Sequence, residues 1–354
     1  MKTQIRYSAD ELQVFAQRLL VRVGMEEVKA LAIARTLVDG DLMGHDTHGL
    51  ALLPAYIGEI ENGAMTCSGE PEVVSDRGGS VLWDGRRLPG PWLVLSGIET
   101  LAPRAKKYGT ATLVIRRNHH IACLASYLER ATADGLMILL SSSDPAGQSV
   151  APHGGTRSVF TPNPIAAGIP TSGTPFLIDI SSSMVTQGLT ARRHKAGQHF
   201  DEACFLDADG QPSGDPGVLC TDPPGSILPI GGMTGGHKGF GLALLIEALT
   251  GGLAGHGRAD PPDGWGATVF LSLYDPAAFG GLAAFVRQMD WLGDACRDNP
   301  PRPGTAGVRM PGDRGLNLKR EQLRDGVALH STIAPALEAC ARRYDIPLPS
   351  ALPG

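Results

Sequence analysis

Between residues 81 and 140 strand-like and helix-like runs alternate, and no other feature restricts the fold as strongly. Residues 81–84, 112–115 and 136–140 are short apolar runs with polar boundaries, as buried strands are. Residues 92–108 and 121–134 lie between them and carry apolar positions at helical spacing. Strand, helix, strand, helix, strand predicts an α/β chain whose mixed, mostly parallel sheet is covered by helices. Residues 165–169, 176–180 and 268–273 read as further strands. The strand at 112–115 runs into Arg116, Arg117, Asn118, His119 and His120. In α/β sheets ligands bind at the carboxyl ends of strands, and an imidazole there can give or take a proton near neutral pH. The same five residues also suit a plain polar surface loop.

The flanks are helical. Residues 8–11, SADE, form a capping box, and helical periodicity runs from there to Gly24. A second helix covers 26–41. The turn GHDTHGL (44–50) precedes a third helical pattern that ends at Gly63. His48, Leu52 and Tyr56 share a face if that helix begins early, although Pro54 belongs in a first turn or makes a kink. Residues 205–232 are loop-rich, and 274–315 read as irregular. Residues 321–343 supply closing helical material with a break near 331–335. At 235–241 a glycine-rich turn with His237 and Lys238 enters an apolar helix, an arrangement suited to a phosphate. Glycines for close helix packing, with Lys238 solvated, explain the same residues.

Composition excludes several function classes. The formal net charge is -5 and no basic run is present, which argues against nucleic acid as a partner. The best apolar stretch, 240–253, is interrupted by Glu247 and glycines, so no membrane span is expected. The N-terminus lacks the apolar run of a secretory signal, which points to the cytoplasm. Six scattered cysteines without a Cys-x-x-Cys read as reduced thiols, and no cysteine-bound metal is expected. His45-x-x-His48 and the His119–His120 pair have some metal-ligand character, which keeps a metal-assisted hydrolase as a rival. No His-Glu-x-x-His accompanies them, and the reading assigns no metal.

Taken in order, these motifs resemble one family over nearly the whole chain. Thr47-His48-Gly49 matches the Ser-His-Gly of the type-2 malate/L-lactate dehydrogenases, and Asn118-His119-His120 their Asn-His-Phe. Residues 151–155 (APHGG), Asn163-Pro164 and Ile178-Asp179-Ile180-Ser181 follow. Residues 228–232 (LPIGG), 237–242 (HKGFGL) and 310–313 (MPGD) complete the series. The family includes ureidoglycolate and sulfolactate dehydrogenases and reductases of cyclic imine carboxylates.

The resemblance implies a cytoplasmic, homodimeric NAD- or NADP-dependent oxidoreductase whose nucleotide domain is not of the Rossmann type. Residues 76–315 would form that domain, with 1–75 and 316–354 as helical segments packed together. Hydride would pass between the nicotinamide and C2 of a small 2-hydroxy or 2-oxo acid; the alternative is a cyclic imine carboxylate. His119 then matches the catalytic acid/base, and His48, oriented by the Thr47 hydroxyl, lies in the substrate site with Tyr56 and Asn163. Cofactor contacts fall on His120, Ser143, Ile178, Asp179, Ile180, His237 and Lys238, and on Arg309, Pro311, Gly312, Asp313 and Arg314. Arg314 is a candidate for a 2′-phosphate. Plainer roles stand beside these: capping for His48 and Asp179, packing for Tyr56, a surface charge for Arg314. A non-catalytic nucleotide-binding protein is the other rival.

Three departures bear on the substrate. Leu52 stands where the family carries a carboxylate-binding arginine, and an alkyl chain cannot replace a bidentate guanidinium. Arg116, Arg117, Arg157 and Arg258 are the alternatives for an anion. Thr161-Pro162-Asn163-Pro164 replaces Gly-Thr-Asn-Pro, and His120-Ile121 replaces the usual aromatic residue and glycine.

Overall fold

A computed structural model describes residues 5–352 apart from Pro261 and Asp263. The first helix is α1 (Ala9–Arg22), where the Ser8 hydroxyl accepts the Glu11 N–H at 3.4 Å, as the capping box predicts. It continues with α2 (Glu27–Leu42) and α3 (Leu53–Glu61). Pro54 falls in the first turn of α3, where its missing N–H costs no helical hydrogen bond. Leu12, Leu37 and Tyr56 from these helices share one apolar cluster with Val327, Ile333 and Leu337 from the other end of the chain.

The central sheet follows, with β1 (Glu72–Asp76), β2 (Ser80–Asp84) and, after α4 (Gly90–Tyr108), β3 (Thr110–Asn118). Helix α5 (Ala125–Ala133) leads to β4 (Met137–Ser143), then β5 (Pro164–Ile169) and β6 (Phe176–Ser181). Beyond α6 (Gln187–Lys195) and α7 (Gly232–Glu247), β7 (Ala267–Tyr274) returns to the sheet. Helices α8 (Leu282–Arg297), α9 (Asp313–Asp325) and α10 (Ile333–Tyr344) close the chain. The spatial order is β1-β2-β3-β7-β4-β5-β6.

The sheet is mixed, as expected, but it is not mostly parallel. Only β2 and β3 pair in parallel; every other neighbouring pair is antiparallel. Strands β3 and β4 do point the same way, as the alternation predicts, yet β7 lies antiparallel between them. Strand pairing over such a sequence separation leaves no local signal. Leu113, Leu271 and Tyr127 of β3, β7 and α5 are fully buried and share the core beneath the helices.

Two local expectations need correction. Residues 235–241 are not a turn: they lie inside α7, which starts at Gly232. A Cβ on Gly239 would come within 2.5 Å of the Ile230 N, so the glycines let this helix approach neighbouring backbone closely. Residues 282–297, read as irregular, form α8, whose less exposed positions Phe285, Met289, Gly293 and Cys296 recur at helical spacing; of them only Gly293 is fully buried. Among the described residues, no helix is long and apolar enough to cross a membrane.

Two contacts tie the helical layer to the sheet layer. Lys29 of α2 is buried, ion-paired with Glu26 and seated 4.0 Å from the centre of the Trp92 ring of α4. At the start of α4, a Cβ on Gly90 would meet the carbonyl oxygens of His119 and His120 at 2.4 and 2.5 Å. The segment carrying both histidines therefore rests directly on helix backbone. Gly90→Ala is expected to lower stability by about 1–3 kcal/mol through this overlap, measured by urea unfolding. An unchanged midpoint would show that the contact is not tight.

Candidate active site

A cleft of about 230 Å³ opens where β3 and β4 end, β7 begins and α5 starts. His45, His48, His120, Asp179, Gln187 and Trp265 are among the side chains that face it.

The turn between α2 and α3 carries His48 and is held by one buried carboxylate. Asp41 Oδ2 accepts the Leu50 N–H at 2.7 Å, while Oδ1 has no partner. Gly49 must lack a side chain here, because a Cβ would sit 2.4 Å from the Asp41 Cγ. Thr47 Oγ1 lies 3.0 Å from His48 Nδ1, which fixes the ring and leaves Nε2 for the cleft. Asp46 takes a bidentate pair from Arg192 of α6 at 2.7 and 2.8 Å, bolting that helix over the turn. Burial alone would raise the Asp46 pKa, but the hydrogen bonds and charge of Arg192 prevail and hold it low. Burial also lowers the His48 pKa to about 4, so its imidazole is neutral at physiological pH and ready to accept a proton.

The adjacent histidines of the next segment are turned to different sides. His119 is 0% exposed, with Nε2 at 3.0 Å from Glu59 Oε2 and Nδ1 buried without a partner. It stands behind the cleft wall, 5.1 Å in ring separation from Trp265, and is not among the side chains that line the cleft. Burial lowers its pKa to about 4 against the opposing pull of Glu59. His120 faces the cleft instead, its ring 5.9 Å from that of His48. Tyr56 is fully buried and reaches His120 Nδ1 at 2.8 Å from behind.

The remaining expected substrate residues are placed unevenly. Asn163 lines the cleft but is committed: its amide nitrogen donates to Glu247 at 2.9 Å and its oxygen accepts from Thr161 at 2.8 Å. Leu52 packs against the helical cluster and does not line the cleft. The arginines proposed as substitutes are engaged elsewhere. Arg116 and Arg117 both pair with buried Asp84. Arg258 holds Glu247 at 2.7 Å and donates to the Gly147 and Asp144 carbonyls at 2.6 and 3.0 Å. Arg157 is exposed and away from the lining. Among the described residues, no arginine or lysine side chain lines this cleft.

The expected cofactor residues spread along β6, the edge strand of the sheet. Asp179 faces the cleft, with Oδ2 accepting the Ala125 N–H at 2.9 Å and the Cys123 thiol at 3.9 Å, so it caps α5. Burial raises its pKa despite the nearby His45. Ile178 is half-buried and Ile180 exposed. At the start of β6 the Leu177 N–H donates to the Pro311 carbonyl at 3.0 Å, and a Cβ on Gly312 would meet the Leu177 N at 2.9 Å. The loop therefore lies on the strand, with Arg309 and Arg314 exposed and Asp313 folded back onto the Met310 N–H at 3.0 Å. His237 and Lys238 are exposed on α7, whose start adjoins the other end of β6 through the Ile230 N–H to Ser182. Ser143 is the exception. It is buried against the Thr250 hydroxyl at 2.9 Å, and Ser142, on the opposite face of the strand, lines the cleft.

The histidine pairs do not converge as metal ligands. Among the described residues, the group whose ligand atoms all lie within 4.8 Å of one another is His45, Cys123 and Asp179, and the thiol and carboxylate already satisfy each other and the α5 terminus. Sequence reasoning missed Glu59 and Trp265. Glu59 falls one helical turn after Tyr56, a carboxylate on an otherwise apolar face; Trp265 is the lone aromatic in a Gly- and Pro-rich loop.

The malate/L-lactate dehydrogenase family profile matches residues 7–338. An L-lactate dehydrogenase of Cupriavidus necator is 30% identical over 90% of this chain and 92% of its own. A Delta(1)-pyrroline-2-carboxylate reductase of Ancylobacter novellus is 28% identical, covering 97% and 99%. The crystal structure of malate dehydrogenase from Entamoeba histolytica superposes with a TM-score of 0.92 at 23% identity, over 98% of this chain and 100% of that one.

Burial pushes the Asp41 carboxyl up to about 8. The folded chain thus favours the neutral acid, and this contribution to stability is lost as pH rises through that value. The melting temperature of the native protein is expected to fall across this range more steeply than that of Asp41→Asn. Parallel curves would contradict the assignment.

Proposed function

The chain belongs to the malate/L-lactate dehydrogenase family, whose members are dehydrogenases and reductases, and from this premise we propose that His48 is the proton carrier for hydride transfer at C2 of a small 2-hydroxy or 2-oxo acid. The observation that carries the reading is a neutral imidazole held by Thr47 at the wall of the cleft. In oxidation the substrate hydroxyl must lose its proton as the C–H bond breaks, and neutral His48 accepts it. In reduction the imidazolium returns that proton to the forming hydroxyl. His119 takes a positioning role: with Glu59 it braces Trp265 and Tyr56 from behind.

NAD or NADP, when bound, supplies or accepts the hydride. The residues present fit such a group. Strand β6 is the edge strand of the sheet, and at about 3.3 Å per residue its length of about 20 Å matches an extended dinucleotide. Ile178, Asp179 and Ile180 would line it, Arg309, Pro311, Gly312, Asp313 and Arg314 would hold one end, and His237 and Lys238 the other. No G-x-G-x-x-G turn takes part, so the fold of this domain is read as non-Rossmann. The shared apolar cluster supports reading 1–75 and 316–354 as one helical unit beside the 76–315 nucleotide domain. Exposed Met233, Leu244 and Leu245 on α7 support a homodimer, and the free cysteines support a reducing, cytoplasmic setting.

One nucleotide of the set NAD, NADH, NADP and NADPH is expected to raise the melting temperature, with about 2.7 kcal/mol of stabilisation at a hundredfold excess over Kd. A 2-hydroxy acid and cyclic imine panel then identifies the substrate. The kcat/KM for oxidation is expected to fall on acidification with a midpoint near the His48 value of about 4. No shift with any of the four nucleotides would sink the reading.

A further inference from the structure

We propose that His45, Cys123 and Asp179 form a site for a thiophilic divalent cation such as Zn²⁺, and that an ion held there shuts the nucleotide out of the cleft. The site itself stands independently of the dehydrogenase reading. The exclusion rests on that reading, which puts Asp179 against the dinucleotide.

The three residues come from separate parts of the chain. His45 lies in the turn after α2, Cys123 in the segment that leads into α5, and Asp179 on β6. No two of them are spaced as a metal motif, so the sequence carries no sign of the site. All three line the cleft, and one ligand atom of each lies within 4.8 Å of the other two. Zinc bonds of about 2.0–2.3 Å place tetrahedral ligands about 3.5 Å apart, so the triad has to close by little more than about 1 Å. Two of its members are already fixed. Cys123 packs with Met43 and Ala125 in a small apolar cluster, and its thiol stands 3.9 Å from Asp179 Oδ2. Asp179 is held through the same Oδ2 by the Ala125 N–H at 2.9 Å, and among the described residues its Oδ1 makes no hydrogen bond. The His45 ring makes none either, and it is the ligand that can swing inward.

Charge favours an ion here. Asp144 and Asp179 face the cleft, and among the described residues no arginine or lysine side chain lines it. Burial raises the pKa of both Cys123 and Asp179, so their charged forms need a cation close at hand. A divalent ion meets that need: one thiolate and one carboxylate cancel its charge, and His45 adds a neutral nitrogen. As the metal–sulfur bond forms, the thiol proton that points at Asp179 leaves to water. Sulfur with imidazole selects Zn²⁺ over Mg²⁺ or Ca²⁺, which take oxygen ligands. Three protein ligands leave the fourth position for a water on the cleft side. Asp179 is then tied to Cys123 and to the His45 turn, and it is lost to the dinucleotide.

The test uses the full-length protein stripped with EDTA and titrated with Zn²⁺, with Co²⁺ as the spectroscopic probe. Wild type is expected to bind one Zn²⁺ per chain with a Kd of about 10 μM or below, and Co²⁺ to give a sulfur-to-metal band in the near ultraviolet. Cys123→Ser and His45→Gln are each expected to weaken zinc binding about 100-fold or more, and Cys123→Ser to remove the band. Cys220→Ser, which removes an exposed thiol, is expected to change neither. Melting temperatures in EDTA establish that each variant is folded. Zinc is expected to abolish the nucleotide-induced rise in melting temperature in wild type and to spare it in Cys123→Ser. Weaker wild-type binding, or affinity retained in both cleft variants, would overturn the site. A nucleotide shift that persists with the site filled would overturn the exclusion. If no nucleotide shifts the metal-free protein, the dehydrogenase reading fails, while zinc affinity and the cobalt band still decide the site.

Discussion

The antiparallel insertion of β7 between β3 and β4 is the constraint on which the site depends. Its start pairs with the far ends of both neighbours: Ala267 lies opposite Asn118, and Thr268 opposite Ser143. The residues that precede β7 are thereby delivered to the point where β3 runs out into His119 and His120. Trp265 fills that point and separates the two histidines by side, one against Glu59 and one against the cleft. Two parallel strands in direct contact would have left no place for it.

A second layer of control comes from backbone approach. Gly90 brings the start of α4 against the carbonyls of His119 and His120, and Gly49 makes room for the Asp41 carboxyl beneath the His48 turn. The two histidines at the cleft are thus carried by segments braced from below, and their rings are then set by single hydrogen bonds from Thr47 and Tyr56. Such preorganisation suits the role proposed for His48, in a cleft that offers no guanidinium among the described residues. Arg116, Arg117, Arg192 and Arg258 are likewise engaged, each paired with an aspartate or glutamate outside the cleft lining.

Much of this was legible in the chain. Periodicity alone locates α1 to α5 and the strands β2 to β6 within a few residues, because each buries one face against a core. It overreached at 235–241, where glycines read as a turn are the small side of a packed helix, and it passed over α8, whose apolar face is only half-buried and is mixed with exposed Trp291 and Leu292. The motifs brought His48, His120, Asn163 and Asp179 to one cleft, but they could not distinguish neighbours. His119 and His120 differ only in which way a bulged segment turns them, and Ser142 and Ser143 only in strand alternation. Glu59 and Trp265, which decide the former, act from distant parts of the sequence.

In the proposed mechanism the proton is carried by His48 at the cleft and not by His119 behind it. The most direct measurement is the turnover of His48→Asn beside His119→Asn, each checked for retained nucleotide binding. His48→Asn is expected to lose about 1000-fold or more, and His119→Asn to keep turnover within about tenfold of wild type. The reverse order, with His119→Asn inactive and His48→Asn active, would contradict it.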